Sequence, residues 1–141
     1  MKDLLVTGGK TGMVGNAIQS YSKDSIFVNS SDCDLRDLNA TKELFAKHKP
    51  KYVIHLAAKV GGVKANSDYV ADFYTDNILI NTNVLKCAHE SGVKKVVSLL
   101  STCVYPDAKY VQYPLTEDQL HLGEPHESNF GYAYSKRMVI F

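Results

Sequence analysis

The chain has 141 residues, 45% of them hydrophobic and 22% charged, and its 16 Lys and Arg against 15 Asp and Glu leave a formal net charge of +1. This balance is typical of a globular domain and gives no electrostatic support for a nucleic-acid or anionic-membrane partner. The apolar runs fall far short of the ~20 residues that span a bilayer, and the N-terminus lacks the apolar core and cleavage site of a signal peptide.

Short apolar runs alternate along the chain with longer segments of helical periodicity. The predicted strands cover residues 4–7, 26–28, 52–57 and 95–101. The predicted helices cover residues 12–22, 37–48 and 69–91, and a last one begins near residue 131 after a long proline-containing loop. This order predicts an α/β fold, a doubly wound parallel sheet of the Rossmann type over residues 1–141. Ligands of such a sheet bind beyond the carboxyl ends of its strands.

A glycine-rich turn joins the first predicted strand to the first predicted helix. The GxxGxxG spacing permits a tight turn, close approach of backbone amides to a pyrophosphate, and close packing of helix on strand. It therefore predicts a dinucleotide site, and a structural turn that binds nothing is the alternative. An ATP-binding P-loop is disfavoured, because the glycine that it requires at position 4 is Leu4. The predicted contacts are Gly9, Lys10, Thr11, Gly12, Met13, Val14 and Gly15.

The residues after the second predicted strand indicate which dinucleotide is bound. NAD enzymes usually carry an acidic residue there, about 20 residues after the glycines, for the ribose 2′-hydroxyl. Residues 29–31 are neutral, and Lys10 in the glycine turn is placed to meet a 2′-phosphate, so NADP(H) is predicted. Asp34 and Leu35 are predicted to contact the adenine edge. For Asp32 and Asp37, a solvated loop position or a helix cap is an equally good interpretation.

A Tyr-x-x-x-Lys pattern, Tyr132 and Lys136, opens the last predicted helix. Residues four apart share a helix face, and a lysine ammonium beside a phenol favours the phenolate, which lowers the phenol pKa. Such a tyrosine transfers a proton to or from a carbonyl oxygen while hydride moves to the carbon. Ser101, at the end of the fourth predicted strand, can polarise the same oxygen or simply cap the strand. Tyr134 is expected to pack.

The three cysteines are far apart and show no metal-ligand spacing, which argues against disulfides and structural zinc and fits a reducing cytoplasmic setting. Cys33 and Cys87 are interpreted as buried and inert. Cys103 follows the fourth predicted strand and is open to two interpretations, an inert thiol or a proton-transfer base. The five histidines show no metal-ligand spacing either, so no metal is predicted.

Together these residues resemble the extended short-chain dehydrogenase/reductase superfamily. Within it the chain is similar to the 3,5-epimerase/4-reductases of GDP-bound 4-keto-6-deoxyhexoses. The similarity extends over essentially the whole chain and is most specific in residues 53–62, 100–106 and 125–138, which contain Ala-Ala-Lys-Val-Gly-Gly, Ser-Thr-Cys-Val-Tyr-Pro and the Tyr-x-x-x-Lys pattern.

The resemblance implies an NADPH-dependent enzyme that epimerises C3 and C5 of a GDP-keto-deoxyhexose and then reduces its C4 ketone. It implies Cys103 as the epimerisation base, Ser101, Tyr132 and Lys136 as the reductase triad, and contacts of Ala57, Ala58, Tyr132 and Lys136 with the nucleotide. Members of this family pair as homodimers through two helices, which correspond here to residues 69–91 and the helix that begins near 131.

The resemblance also places the proton-donating histidine, the last strands and most of the sugar-binding domain beyond Phe141, so we expect an intact protein roughly twice as long and an inactive 141-residue form. Two other functions stay open. One is another sugar-nucleotide epimerase or dehydratase, which needs no cysteine base at position 103. The other is a non-catalytic NADP-binding module.

Overall fold

The computed structural model describes residues 2–140. Within them, parallel strands form one sheet in the order β2-β1-β3-β4, which confirms the predicted Rossmann-type architecture. Val6 of β1 pairs with Phe27 on one side and with Ile54 on the other. The strands are β1 Leu4–Thr7, β2 Ile26–Val28, β3 Tyr52–His55 and β4 Lys95–Ser98.

The helices of the described residues are α1 Met13–Tyr21, α2 Leu38–His48, α3 Val63–Asp68, α4 Val70–Glu90 and α5 Phe130–Arg137. The long loop before α5 contains several short 3-10 turns. Helix α3 was not predicted, because it has little apolar periodicity. The Asn66 amide holds it in place by donating to the carbonyls of Gly61 and Gly62 at 3.0 and 3.1 Å.

The chain forms two compact units. The sheet unit contains the residues up to Ala58 together with Leu79–Leu99, and the second unit contains Lys59–Ile78 together with the residues from Leu100 onward. Helix α4 contributes residues to both units. All strands belong to the sheet unit, whereas Ser101, Cys103 and α5 belong to the second unit.

The core of the sheet unit consists of apolar side chains from the strands and from α2 and α4. Leu5, Val53 and Phe45 are at most 1% exposed. Asp37 caps α2 by accepting hydrogen bonds from the Asn39 and Ala40 amides at 2.7 and 3.1 Å, which is the capping role considered for it.

A buried polar chain joins the carboxyl ends of β1 and β3 to α4. The Thr7 hydroxyl lies 2.6 Å from Nδ1 of His55, whose Nε2 lies 3.0 Å from Oδ1 of Asn81. All three residues are fully buried. Because a buried polar group is costly to separate from its partners, this chain fixes the strand ends from which the next loops begin.

Replacing His55 by leucine is therefore expected to lower the free energy of unfolding by about 2–4 kcal/mol, since both hydrogen bonds of the imidazole are lost inside the core. Urea unfolding followed by circular dichroism measures the change. The matched control is His89→Leu on the exposed side of α4, which we expect to shift stability by less than about 0.5 kcal/mol. Equal losses in the two variants would contradict a structural role for the buried chain.

Candidate active site

The glycine turn is built from close backbone contacts. The Gly9 amide donates to the Val28 carbonyl at 3.1 Å, which ties the turn to the end of β2. A Cβ on Gly15 would overlap the carbonyl oxygen of Gly9, so only glycine lets α1 pack this closely on the turn. Gly12 has a φ of 110°, a left-handed conformation that favours glycine. The predicted roles of tight turn and close helix packing thus have a geometric basis.

The first turn of α1 is open to solvent. Its N-cap residue is Gly12, which has no side chain, so no side chain caps the amides of this first turn. Met13 is 86% and Val14 39% exposed, and Gly15 is the buried residue of this helix. The apolar periodicity that predicts α1 therefore does not mark a buried face. An uncapped helix N-terminus beside exposed apolar side chains has the chemistry needed for a pyrophosphate joined to flat rings.

Gly8 is a residue that the sequence analysis missed. It has a φ of 70°, and a Cβ there would lie 2.7 Å from the backbone of Ala57. The Leu56 amide also donates to the Thr7 carbonyl at 2.9 Å. The predicted contact residue Ala57 is thereby held against the glycine turn, while the neighbouring Ala58 is half-buried at the edge of the unit. The Gly8-Gly9 dipeptide is the sequence feature from which this close backbone contact with Ala57 could have been predicted.

Lys10 of the glycine turn forms an ion pair with Asp32. Its Nζ lies 2.5 Å from Oδ1 of Asp32, and the second oxygen of Asp32 accepts from the Asn29 amide at 2.9 Å. The hydrogen bond from Lys10 is the main cause that lowers the pKa of the Asp32 carboxyl. Gln19 holds the turn from the other side by donating to the Gly9 carbonyl at 2.8 Å. An acidic group therefore lies beside Lys10, which the neutral residues 29–31 did not indicate.

The two residues predicted at the adenine edge differ in accessibility. Asp34 is exposed and forms an ion pair with Arg36 at 2.8 Å, and this side-chain hydrogen bond is the main cause that lowers the pKa of Asp34 to about 2. The Leu35 side chain is only 7% exposed and belongs to the core, and its carbonyl accepts from Asn83 at 2.9 Å. The Leu35 side chain is therefore part of the packing, which leaves Asp34 as the accessible side chain of the pair.

In the second unit, Ser101 and Cys103 belong to one short turn. The Ser101 hydroxyl accepts from the Cys103 amide at 3.3 Å and caps the 3-10 turn Thr102–Val104. Cys103 is a free, half-buried thiol. A cavity of about 480 Å³ is bordered by this turn, by Leu120 and by His121. Ser101, Thr102 and Val104 line this cavity of small-molecule size, whereas Cys103 of the same turn does not.

Tyr132 and Lys136 lie one turn apart on α5, and the Lys136 side chain is buried. A Cβ on Gly131 would overlap the carbonyl oxygen of Val70, so the start of α5 packs directly on the start of α4. The Ser135 hydroxyl donates to the Tyr132 carbonyl at 2.7 Å. The predicted Tyr-x-x-x-Lys pair is therefore held on a well-packed helix.

The electrostatics of this pair differ from the expectation. Burial, together with the nearby charge of Cys103, raises the pKa of Tyr132, whereas the sequence pattern predicted a lowered pKa. Burial also lowers the pKa of Lys136, because a charged ammonium is disfavoured away from water. The predicted lowering of the Tyr132 pKa was wrong, because burial and Cys103 act on this pKa and Lys136 is not among its causes. Cys103 is nevertheless close enough to act electrostatically on Tyr132.

Within residues 2–140, no cluster of His, Cys, Asp or Glu has the arrangement needed to hold a metal ion. No helix in the same stretch is both long and apolar enough to cross a membrane.

The chain resembles known proteins over nearly its whole length. It is 50% identical over 146 residues to a probable GDP-L-fucose synthase of Drosophila melanogaster, and 48% identical over 145 residues to the GDP-L-fucose synthase of Dictyostelium discoideum. These alignments include 99% and 98% of the chain but 44% of each relative, so the chain spans less than half the length of the curated relatives it matches.

A solved structure gives the same result. The crystal structure of a GDP-L-fucose synthetase from Naegleria fowleri bound to NADP matches with a TM-score of 0.87 and 48% identity, over 96% of this chain and 42% of that one. The profile of the NAD dependent epimerase/dehydratase family matches residues 4–140. With its parallel sheet, its glycine turn and this match over almost all of its residues, the chain belongs to the NAD dependent epimerase/dehydratase family.

Proposed function

We propose that the chain is the N-terminal, cofactor-binding part of an NADPH-dependent enzyme that converts GDP-4-keto-6-deoxy-D-mannose to GDP-L-fucose. The observation that carries the proposal is the turn that holds Ser101 and Cys103, which belongs to the same compact unit as Tyr132 and Lys136. A simple 4-epimerase or a dehydratase needs no thiol at this point. The relatives named above are GDP-L-fucose synthases, which supports the same assignment.

The proposed epimerisation uses Cys103 as the base. C3 and C5 of the sugar both lie next to the C4 ketone, so removal of a proton from either carbon places the negative charge on the ketone oxygen. The Cys103 thiolate accepts that proton, and the hydroxyls of Ser101 and Tyr132 stabilise the enolate oxygen by donating hydrogen bonds. A separate acid on the opposite face of the sugar returns a proton to the carbon and inverts it, and Cys103 passes its proton to solvent before the next turnover.

The proposed reduction uses Tyr132 as the acid. NADPH, when bound, supplies a hydride to C4 of the sugar. Tyr132 donates its phenolic proton to the developing alkoxide, and Ser101 holds that oxygen in place. A tyrosine with a raised pKa keeps its proton at neutral pH, so the phenol is ready to act as a donor. Lys136, four residues along the same helix, orients this face and stabilises the phenolate that remains.

The residues of the glycine turn fit the proposed cofactor. A side chain at Gly15 would fill the space between turn and helix, whereas a Cβ on Gly12 would meet no atom within 4 Å, so the space beside Gly12 leaves room for a phosphate. Met13 and Val14 provide exposed apolar surface beside the uncapped helix end. Asp34 and the backbone of Ala57 and Ala58 are proposed to contact the nucleoside.

Lys10 is proposed to select NADP(H) by binding the 2′-phosphate. Lys10→Met is expected to weaken NADPH binding about 10-fold or more and to change NADH binding by less than about threefold, because a 2′-hydroxyl does not need a cation. Fluorescence titration with both cofactors gives the ratio.

The matched control is Lys51→Met, which removes a lysine from another exposed ion pair of the sheet unit, 2.9 Å from Asp3. It should leave both affinities unchanged. Equal weakening of NADPH and NADH by Lys10→Met would contradict selection through the 2′-phosphate.

A direct test of the function uses the intact proposed enzyme with NADPH and GDP-4-keto-6-deoxy-D-mannose in D₂O. We expect deuterium at C3 and C5 of the product and oxidation of NADPH. Turnover without deuterium incorporation would rule out the epimerase and favour a plain reductase. The 141-residue chain alone is expected to bind NADPH without turnover, and this behaviour on its own would fit a non-catalytic NADP-binding module.

We also propose that the enzyme is a cytoplasmic homodimer. Tyr74 and Leu79 of α4 are 45% and 41% exposed, which is apolar surface on the helix that the family resemblance assigns to dimerisation. Light scattering of the intact enzyme gives its mass, and a monomer at micromolar concentration would contradict this assignment.

A further inference from the structure

Arg137 is a buried charge for which the proposed function has no use. It is the last residue of α5, directly after Lys136, and it is only 9% exposed. No carboxylate among residues 2–140 forms an ion pair with it, and its Nη2 is buried without a hydrogen-bond partner in the same residues. An unpaired buried cation is costly to a folded protein, so its contacts call for a role.

The strongest of these contacts is a hydrogen bond to the turn that holds Cys103. Nε of Arg137 donates to the Val104 carbonyl at 2.6 Å, and Val104 is 2% exposed. Within the turn, the Val104 amide donates to the Ser101 carbonyl at 3.1 Å, and Ser101 also caps the Cys103 amide. The turn is thus fixed at its start by Ser101 and at its end by Arg137, with Cys103 between them.

The guanidinium also contacts a side chain of its own helix. Its Cζ lies 5.4 Å from the ring centroid of Tyr134, and the Tyr134 ring packs edge-on against Phe130 at 4.7 Å. The three side chains follow one face of α5 at spacings of three and four residues, whereas Tyr132 and Lys136 share another face. Arg137 therefore moves with the helix that carries Tyr132 and Lys136.

We propose that Arg137 is a positioning residue that fixes Cys103 relative to Tyr132. It acts through the Val104 carbonyl and joins the cysteine turn to α5. Its catalytic consequence rests on the proposed function, whereas the hydrogen bond itself does not. A guanidinium suits this role because it donates along a fixed plane, whereas a lysine ammonium on a flexible stem fixes direction poorly.

The first test needs no enzyme activity. Arg137→Met keeps length and apolar contact and removes the donor. Hydrogen–deuterium exchange of the Val104 and Tyr105 amides, which close the turn, is expected to become about tenfold faster, while amides of β3 stay unchanged. Lys109→Met is the matched control, since it removes a basic group that lies 4.9 Å from the Tyr110 ring in the same unit. Unchanged exchange at Val104 and Tyr105 in Arg137→Met would overturn the proposal.

The second test uses the intact proposed enzyme. In Arg137→Met, deuterium exchange at C3 and C5 is expected to fall about 100-fold, with KM for the GDP-sugar changed less than threefold, because a displaced base loses rate rather than binding. Arg137→Lys should recover part of the rate. Tyr134→Leu, which removes the ring and keeps the hydrogen bond, should stay within threefold of wild type.

These variants separate the possible failures. If Arg137→Met does not fold, Arg137→Lys is used for both tests. Amide exchange and a catalytic rate equal to those of the wild type in Arg137→Lys would then overturn the proposal. If Tyr134→Leu lowered the C3 and C5 exchange rate as much as Arg137→Met does, packing of the ring and not the Arg137 hydrogen bond would control the rate. That result would also overturn the proposal. Absence of C3 and C5 exchange in the wild type would remove the proposed function and leave the amide result to decide on the hydrogen bond.

Discussion

Cys103→Ser is expected to abolish exchange of the substrate C3 and C5 protons with solvent, with a loss of about 1,000-fold or more. A hydroxyl is a far weaker acid than a thiol, so serine supplies no usable base at neutral pH, and positioned bases contribute about 10²–10⁴-fold. The capping bond of the turn uses the amide of residue 103, so the substitution leaves it in place. Deuterium incorporation from D₂O, followed by mass spectrometry, measures the loss.

The matched control is Cys33→Ser in the sheet unit. Cys33 is buried, and burial is the main cause that raises the pKa of its thiol, so it does not supply a thiolate. This variant should keep wild-type exchange. Retention of C3 and C5 exchange in Cys103→Ser would remove Cys103 from the mechanism. Reduction of an already epimerised 4-keto sugar should continue in Cys103→Ser, because Ser101, Tyr132 and Lys136 are unchanged.

Gly15→Ala is expected to weaken NADPH binding about 100-fold or more. The added Cβ would overlap the Gly9 carbonyl oxygen, which is backbone and cannot rotate away, so the turn and the start of α1 must separate. The amides that approach the pyrophosphate then lose their arrangement. Fluorescence titration measures the affinity, and circular dichroism shows whether the fold persists.

Gly62→Ala is the control for this substitution. A Cβ on Gly62 meets no atom within 4 Å, and its φ of −69° suits any residue. This variant should bind NADPH as the wild type does. If Gly15→Ala also bound NADPH within threefold of wild type, the close packing of α1 on the glycine turn would not be needed for the cofactor.

The fold was predictable from sequence because its signals are local. The strands are short apolar runs bounded by glycine, proline and polar residues, and the glycine spacing lies within a few residues of one loop. Helix α3 lacked such a signal, because its ordering depends on the Asn66 side chain rather than on apolar periodicity. The predicted strand ends at 57 and 101 overran the observed ends at His55 and Ser98, since apolar residues continue past the last paired position.

The interactions within the candidate site were less predictable, because they join residues far apart in sequence. The Lys10–Asp32 pair connects two loops, and the bond from Arg137 to Val104 connects a helix end to a turn. The pKa of Tyr132 depends on burial and on Cys103, neither of which the Tyr-x-x-x-Lys spacing contains. Residue types and spacing therefore identified candidate groups, whereas their charge states required the fold.

The two kinds of contact in the sheet unit respond differently to ionic strength. The chain from Thr7 through His55 to Asn81 is buried, beyond the reach of dissolved ions. The Lys10–Asp32 pair is partly exposed, with 48% and 29% of its side chains accessible, so salt screens both this pair and the attraction of Lys10 for a phosphate. Raising the salt concentration should therefore weaken NADPH binding, while the unfolding midpoint of the cofactor-free chain changes little, so ionic strength acts on cofactor occupancy more than on the fold itself.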